Sequence, residues 1–137
     1  EMQGVFDAAG VDLSQMPNNP EDNFMKGTGA GRGFAVTGGV ADAVVKAAAA
    51  IAPEREVPVE YADGLRNCKK MLAMARAGKY NGYLLEGMGC PGGCVAGAGT
   101  ITPVAKSSAA VKRYAADASV DNAVNSEFAA EQEKLEH

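Results

Sequence analysis

Residues 57–85, VPVEYADGLRNCKKMLAMARAGKYNGYLL, decide the fold, because two short apolar segments flank one helical segment. Val57, Val59 and Tyr61 alternate with Pro58 and Glu60, and this period of two predicts a strand. Because Pro58 cannot donate a ladder hydrogen bond, the strand is expected to be an edge strand or to start at Pro58. Tyr83-Leu84-Leu85 is a continuous apolar run, which predicts a second strand buried on both faces. Such a unit normally pairs its strands in parallel through a right-handed crossover. The sequence therefore predicts an α/β fold with a small, mostly parallel sheet flanked by helices.

The segment between the two strands has the pattern of an amphipathic helix. Asp63 is a candidate for its N-cap, and Gly78 supplies a stop signal. Leu65, Cys68 and Leu72 fall on one face at helical spacing, and we expect that face to pack on the sheet. Because Cys68 shares this face, we expect it to be a buried structural thiol.

The chain before residue 57 contains two predicted helices separated by irregular segments. The first ten residues read as the end of a helix closed by a glycine, and residues 11–25 read as a loop rich in Pro, Asn and Asp. Residues 27–33 are too rich in glycine to form a stable element by themselves. A second helix is predicted from Thr37, as its N-cap, to the residues before Pro53.

The chain after residue 103 is predicted to be helical over residues 107–118 and 125–134. The last three residues, 135–137, read Leu-Glu-His, which is typical of the remnant of an expression tag. Residues 1–134 are therefore expected to form one unit, and the single histidine is not a candidate ligand.

Composition and charge exclude several classes of partner. The chain has 47% hydrophobic and 22% charged residues, as in ordinary globular domains. A net charge of −4 without a basic stripe argues against nucleic acids and anionic membranes as partners. No apolar run is long enough to cross a bilayer, and no signal peptide is visible. Three cysteines, an odd number, favour a reducing compartment, so we expect a cytoplasmic protein.

A glycine-rich segment with two cysteines, GMGCPGGCVAGAG at residues 87–99, follows the second strand, which we expect to end at Glu86. Ligands of open parallel sheets bind beyond the carboxyl ends of the strands. Cys90 and Cys94 are therefore candidate ligands of an iron–sulfur cluster or zinc, with glycine N–H groups and a helix beginning near Pro91-Gly92 to stabilise negative charge. The spacing alone leaves three other interpretations open: a disulfide or redox pair, zinc shared with another chain, or small buried residues.

Three segments together resemble the iron-iron hydrogenases. The pattern Glu-x-Met-x-Cys-x-x-Gly-Cys-x-x-Gly at residues 86–97 resembles the third signature of that family. Residues 28–31 and 33–40 are similar to the segment that these enzymes place beside their cluster. Asp-Gly-Leu-x-Asn at residues 63–67 is also similar, and the resemblance covers roughly residues 1–104.

The resemblance implies a lobe of the catalytic domain and an H-cluster, which is a 4Fe–4S cubane joined to a diiron unit with CO, cyanide and dithiolate ligands. It implies that Cys90 is a ligand of the cubane and that Cys94 bridges the cubane and the diiron unit. Met88 would pack near the diiron carbonyls and Phe34 would shield the same pocket. The turn Thr37-Gly38-Gly39 would bring backbone against it. The parent protein would be an oxidoreductase that catalyses reversible H2 oxidation and proton reduction.

The resemblance also implies that much of the site lies outside this chain. Two further cluster cysteines and the proton-transfer cysteine of the family have no counterpart here, so we expect the chain alone to hold no catalytic residue, to be inactive and to lack the cofactor. The implied partners are the remainder of the hydrogenase chain, a ferredoxin-like electron carrier, H2 and protons.

One departure from the family pattern bears on function. The expected Gly-Gly-Gly-Gln-Pro ending reads Ala-Gly-Ala-Gly-Thr-Ile at residues 96–101, which is typical of a divergent monomeric or sensory subgroup. The alternatives to a hydrogenase are an iron–sulfur assembly or scaffold protein, an H2 sensor, and a metal-free α/β interaction module with Cys90 and Cys94 oxidised.

Overall fold

The structure, a computed structural model, describes residues 1–17, 19, 27–129 and 131. Its helices and strands in chain order are α1 Met2–Ala8, α2 Gly29–Arg32, α3 Gly39–Ile51, β1 Val59–Asp63, α4 Leu65–Arg76, β2 Leu84–Met88 and α5 Val104–Ala116. Short 3-10 turns occur at Leu13–Gln15, Gly33–Ala35, Cys94–Ala96 and Ala123–Asn125. The predicted tag remnant, and residues 130 and 132–134 of the helix predicted at 125–134, lie outside the described residues.

The two strands confirm the α/β prediction, because β1 and β2 pair in parallel with Val59 opposite Leu84. β1 begins directly after Pro58, as expected at a sheet edge. The predicted end of β2 at Glu86 is wrong by two residues, since the ladder continues until Met88 lies opposite Asp63.

Burial of the second strand on both faces is also a wrong prediction. Leu84 and Leu85 are only half-buried, and Tyr83, which precedes the strand, is 43% exposed. In the described part of the chain the sheet has two strands, so few side chains are available to cover it.

Helix α4 ends as predicted but presents a different face to the sheet. Gly78 stops it with a positive φ of 86°. Leu65 and Leu72, expected inside, are 78% and 60% exposed, whereas Met71 is buried. The reason lies on β2, where a Cβ at Gly87 would be 3.5 Å from the Cys68 sulfur and 3.9 Å from the Met71 methyl carbon. The face with Cys68 and Met71 therefore packs over a strand position that has no side chain.

Cys68 is half-buried rather than fully buried, and backbone oxygens surround its sulfur. The sulfur lies 3.5 Å from the carbonyl oxygen of Ala62 and 3.3 Å from that of Met88. These contacts fit the structural role expected for this thiol, because the sulfur bridges the ends of β1 and β2.

Both predicted helix caps are wrong. The N-cap of α4 is Gly64, with a φ of 75°, and the Asp63 carboxylate makes no capping hydrogen bond to that helix. The N-cap of α3 is Gly38, with a φ of 90°, and the Thr37 hydroxyl donates a hydrogen bond to Asp63 instead. Positive φ at both caps favours glycine and leaves no capping side chain at either position.

Glu86 caps α3 from the neighbouring strand. Its two carboxylate oxygens accept hydrogen bonds from the N–H groups of Gly38, at 2.7 Å, and Ala41, at 2.6 Å. The side chain is only 7% exposed. A buried carboxylate at a helix N-terminus satisfies two otherwise unpaired donors and interacts favourably with the helix dipole. Glu86 therefore fixes the start of α3 against β2.

The glycine-rich segment at 27–33 forms α2, although no stable element was expected there. The Thr28 hydroxyl oxygen accepts a hydrogen bond from the N–H of Gly31. The N–H groups of Gly29 and Ala30 donate to the carbonyl oxygens of Val120 and Asp121, both at 2.8 Å. This helical turn is thus stabilised by the segment that follows α5, which local sequence does not reveal.

The remaining boundaries follow the sequence closely. Gly10, with a φ of 66°, follows the end of α1, and α3 ends at Ile51, two residues before Pro53, as predicted. α5 begins at Val104, three residues earlier than expected, because Pro103 precedes its first turn.

The apolar core is small. The buried hydrophobic residues of the described chain are Ala30, Ala41 and Met71, and among the described residues no large side chain is completely buried. With so little apolar burial among the described residues, polar contacts such as those of Glu86 help to hold the elements together.

We expect Glu86→Gln to lower the free energy of unfolding by about 1–3 kcal/mol, because the amide N–H2 would face a backbone donor and the charge at the helix terminus would be lost. Urea denaturation followed by circular dichroism measures this change. Glu60→Gln is the matched control, since the Glu60 carboxylate has no hydrogen-bond donor within the described residues. Equal losses in both variants would contradict the capping role.

Candidate metal centre

The two candidate ligands lie just beyond the carboxyl end of β2. Cys90 follows the last strand residue, Met88, by two positions, and Cys94 begins the 3-10 turn Cys94–Ala96. The α-helix predicted near residue 91 does not form, because Gly92 and Gly93 have positive φ values of 94° and 95°. The cysteines therefore lie at the strand tip, as predicted. They are part of two consecutive tight turns and not of a helix.

The backbone of this turn folds closely around both cysteines. The Cys90 carbonyl accepts a hydrogen bond from the N–H of Gly93, and the Cys94 carbonyl accepts one from Gly97, each at 3.0 Å. A Cβ at Gly97 would lie 4.0 Å from the Cys90 sulfur, so a glycine leaves free space beside that thiol.

All three cysteines are free thiols in the structure, so Cys90 and Cys94 are not joined by a disulfide. Cys90 is half-buried, whereas Cys94 is exposed. The exposure of Cys94 disagrees with the interpretation of both residues as small buried packing residues. The sulfur of Cys94 is therefore accessible to a metal group that approaches from outside the described chain.

The Thr37-Gly38-Gly39 turn packs directly on the cysteine turn, whereas its predicted contact with a cofactor stays a prediction. The N–H of Thr37 donates a hydrogen bond to the carbonyl of Gly92 at 3.3 Å. A Cβ at Gly93 would lie 2.6 Å from the Thr37 nitrogen and 2.7 Å from the Ala35 oxygen. Backbone contacts backbone here, and any side chain at residue 93 would separate the two segments.

Asp63 ties these two segments to the end of β1. One of its carboxylate oxygens accepts hydrogen bonds from the N–H of Gly92, at 2.8 Å, and from the hydroxyl of Thr37, at 3.2 Å. Neither Asp63 nor Glu86 was a candidate site residue from sequence. The available signal was their position: each is a carboxylate within the last three residues of a strand.

The other candidate residues lie nearby without forming a closed pocket in the described chain. Phe34 sits in the 3-10 turn that precedes Thr37 and is 47% exposed. Met88 is half-buried and lines a cavity of about 280 Å³ between β2 and α3, together with Val40 and Val44. Gly39 must lack a side chain, because a Cβ there would overlap the carbonyl of Gly33.

The donor set fits half of a metal centre. Among the described residues, no group of three His, Cys, Asp or Glu side chains is arranged to hold a metal ion. Two thiolates on a glycine-rich turn match the soft ligands of iron–sulfur clusters, which are usually held by four cysteines. An iron–sulfur cluster on Cys90 and Cys94 would therefore need further ligands from outside the described residues.

None of the helices in the described part of the chain is long and apolar enough to cross a membrane.

Comparison with known proteins shows the family of this chain and one similar protein. Residues 1–98 match the family model described as iron only hydrogenase large subunit, C-terminal domain. The chain is 28% identical over 126 residues to the periplasmic [Fe] hydrogenase large subunit of Nitratidesulfovibrio vulgaris (Hildenborough). The similarity covers 72% of this chain and 30% of that protein, so the chain spans less than a third of the relative's length.

We expect Gly93→Ala to lower the free energy of unfolding by at least about 2 kcal/mol, because alanine is strained at this positive φ and its Cβ would overlap the backbone of residues 35–37. Gly33→Ala is the control: its φ is −77° and a Cβ there meets no atom within 4 Å. Chemical denaturation of both variants measures the difference. A Gly93→Ala chain as stable as the control would refute the close approach.

Proposed function

Because the chain belongs to the iron-only hydrogenase large-subunit family, we propose that it is part of an oxidoreductase that interconverts H2 with protons and electrons. Family membership rests on the match over residues 1–98. The observation that supports a role in the metal site is the turn with Cys90 and Cys94, which lies at the strand tip and contacts the Thr37-Gly38-Gly39 turn.

The two thiols have separate roles in this proposal. Cys90 would hold the 4Fe–4S part of the H-cluster, and Cys94 would hold both that part and the diiron part. When bound, that cofactor supplies the redox chemistry for heterolytic cleavage of H2. The thiolates hold and orient it, and N–H groups of the glycine-rich turn can approach its sulfur atoms and stabilise negative charge.

The apolar neighbours protect the same group. Met88 and Phe34 would shield the diiron part from water, and the Thr37-Gly38-Gly39 turn would bring backbone rather than side chains against it. A dry, close-fitting surround tunes the redox potential and limits access of competing oxidants.

The rest of the site comes from the remainder of the hydrogenase chain. Two thiols cannot complete a cubane, so the other cluster ligands and the group that transfers protons lie there. A ferredoxin-like carrier exchanges electrons with the intact protein. The cytoplasmic location is still only a prediction, and the relative named above is periplasmic.

We expect Cys90→Ala and Cys94→Ala, each introduced into the intact large subunit, to abolish H2 evolution and to lower the iron content. Loss of one thiolate removes a covalent attachment, and the described residues offer no group of three ligands that could replace it. Reduced methyl viologen as electron donor, gas chromatography of H2 and iron analysis under anaerobic conditions measure both effects.

Cys68→Ala is the control for this experiment, because it removes a thiol that contacts backbone oxygens at the strand ends. It should keep the iron and most of the activity. If all three variants lose iron equally, the two-ligand assignment is wrong. If the intact subunit holds iron but shows no infrared bands of CO and cyanide, it is an iron–sulfur scaffold and not a hydrogenase.

We expect the 137-residue chain alone to evolve no H2, even after anaerobic incubation with iron and sulfide, because it supplies only two cluster thiolates. The same viologen assay measures this, with the intact subunit as the positive control. Turnover by the isolated chain would contradict the proposed division of the site.

A further inference from the structure

We propose that Asp63 is a positioning residue that holds the turn between Cys90 and Cys94 in the shape that presents both thiolates to one metal group. The inference rests on the proposed function, since it assumes that the two sulfurs act as a pair. Asp63 acts through the peptide between the two cysteines, whose N–H at Gly92 its carboxylate accepts.

The contact is at the centre of the turn. Gly92 lies midway between the two cysteines, and its N–H donates to the Asp63 carboxylate at 2.8 Å. The carbonyl of the same Gly92 accepts the N–H of Thr37. The hydroxyl of Thr37 donates to the same Asp63 oxygen at 3.2 Å. Both the N–H and the carbonyl of Gly92 are therefore hydrogen-bonded. Asp63 accepts the N–H directly, and it also binds the hydroxyl of Thr37, whose N–H binds the carbonyl.

This turn needs an external tether. Gly92 and Gly93 both have positive φ values near 95°, and glycine loses more conformational freedom on ordering than any other residue. A carboxylate that accepts a backbone N–H makes one of the stronger kinds of hydrogen bond in proteins. Asp63 is itself fixed, because β1 pairs with β2 up to the position where Asp63 lies opposite Met88.

The carboxylate has no competing role in α4. Among the described residues no side chain caps the N-terminus of that helix, and Asn67, in its first turn, donates to the Asp63 backbone carbonyl and not to the carboxylate. Asp63 is half-buried, so water competes only partly for its oxygens. Asp63 thus binds the peptide between the two proposed ligands, and residues with such a role orient metal ligands without binding the metal.

Cadmium binding by the full 137-residue chain, reduced and anaerobic, tests the proposal. Cd²⁺ prefers thiolates, and the thiolate-to-cadmium absorbance reports the dissociation constant. We expect Asp63→Ala to weaken binding by about 10–100-fold, the usual effect of removing such a partner. Circular dichroism of each variant checks the fold.

Two conservative variants separate positioning from charge. Asp63→Asn keeps an acceptor oxygen in place but removes the charge, whereas Asp63→Glu keeps the charge but moves the oxygens by one methylene. Positioning predicts tighter cadmium binding by Asp63→Asn than by Asp63→Glu, and the reverse order would overturn it. Asp42→Asn, an exposed carboxylate in the first turn of α3, is the charge-matched control and should bind as the unchanged chain does.

Cysteine variants distinguish failure of this inference from failure of the proposed site. If Cys90→Ala and Cys94→Ala bind cadmium as tightly as the unchanged chain, the paired-thiol site itself is wrong. If both lose binding while Asp63→Ala and Asp63→Glu keep it, the site stands and the role of Asp63 is refuted.

Discussion

Two carboxylates at the ends of the paired strands hold the loops of the candidate site. Glu86 accepts the N–H groups of Gly38 and Ala41, and Asp63 accepts the N–H of Gly92 and the hydroxyl of Thr37. Because Tyr61 lies opposite Glu86 in the parallel register, Asp63 and Glu86 point to the same face of the sheet. The strand pairing thus fixes both carboxylates, and the carboxylates fix the loops.

This arrangement compensates for weak apolar burial. With so few buried hydrophobic side chains, the loops cannot be held by packing alone, and charge-assisted hydrogen bonds to backbone take over that role. Glycine makes the arrangement possible at Gly93 and Gly39, where a side chain would collide with backbone. Ordering glycine costs more conformational entropy than ordering other residues. This cost explains why the glycines occur beside carboxylate hydrogen bonds that hold them in place.

The small core and the half-complete donor set have the same physical origin in our interpretation. Under the proposed function, a chain that spans less than a third of a related large subunit would have apolar side chains and metal ligands whose partners lie in the rest of the subunit. The exposed Leu65 and Leu72 on α4 and the exposed thiol of Cys94 are examples. Burial and ligation are then completed by the same additional polypeptide.

The sequence by itself determined the α/β class, the parallel strand pair, the stop at Gly78 and the location of both cysteines at a strand tip, because periodicity and glycine or proline signals act over a few residues. It did not determine the caps, the buried face of α4 or the existence of α2. The hydrogen bonds of Glu86 to α3 span 45 and 48 residues, and that of Asp63 to Gly92 spans 29. Asp63 and Thr37 could each have capped the helix that follows it. Their actual partners are distant in sequence and become available only after the strands have paired.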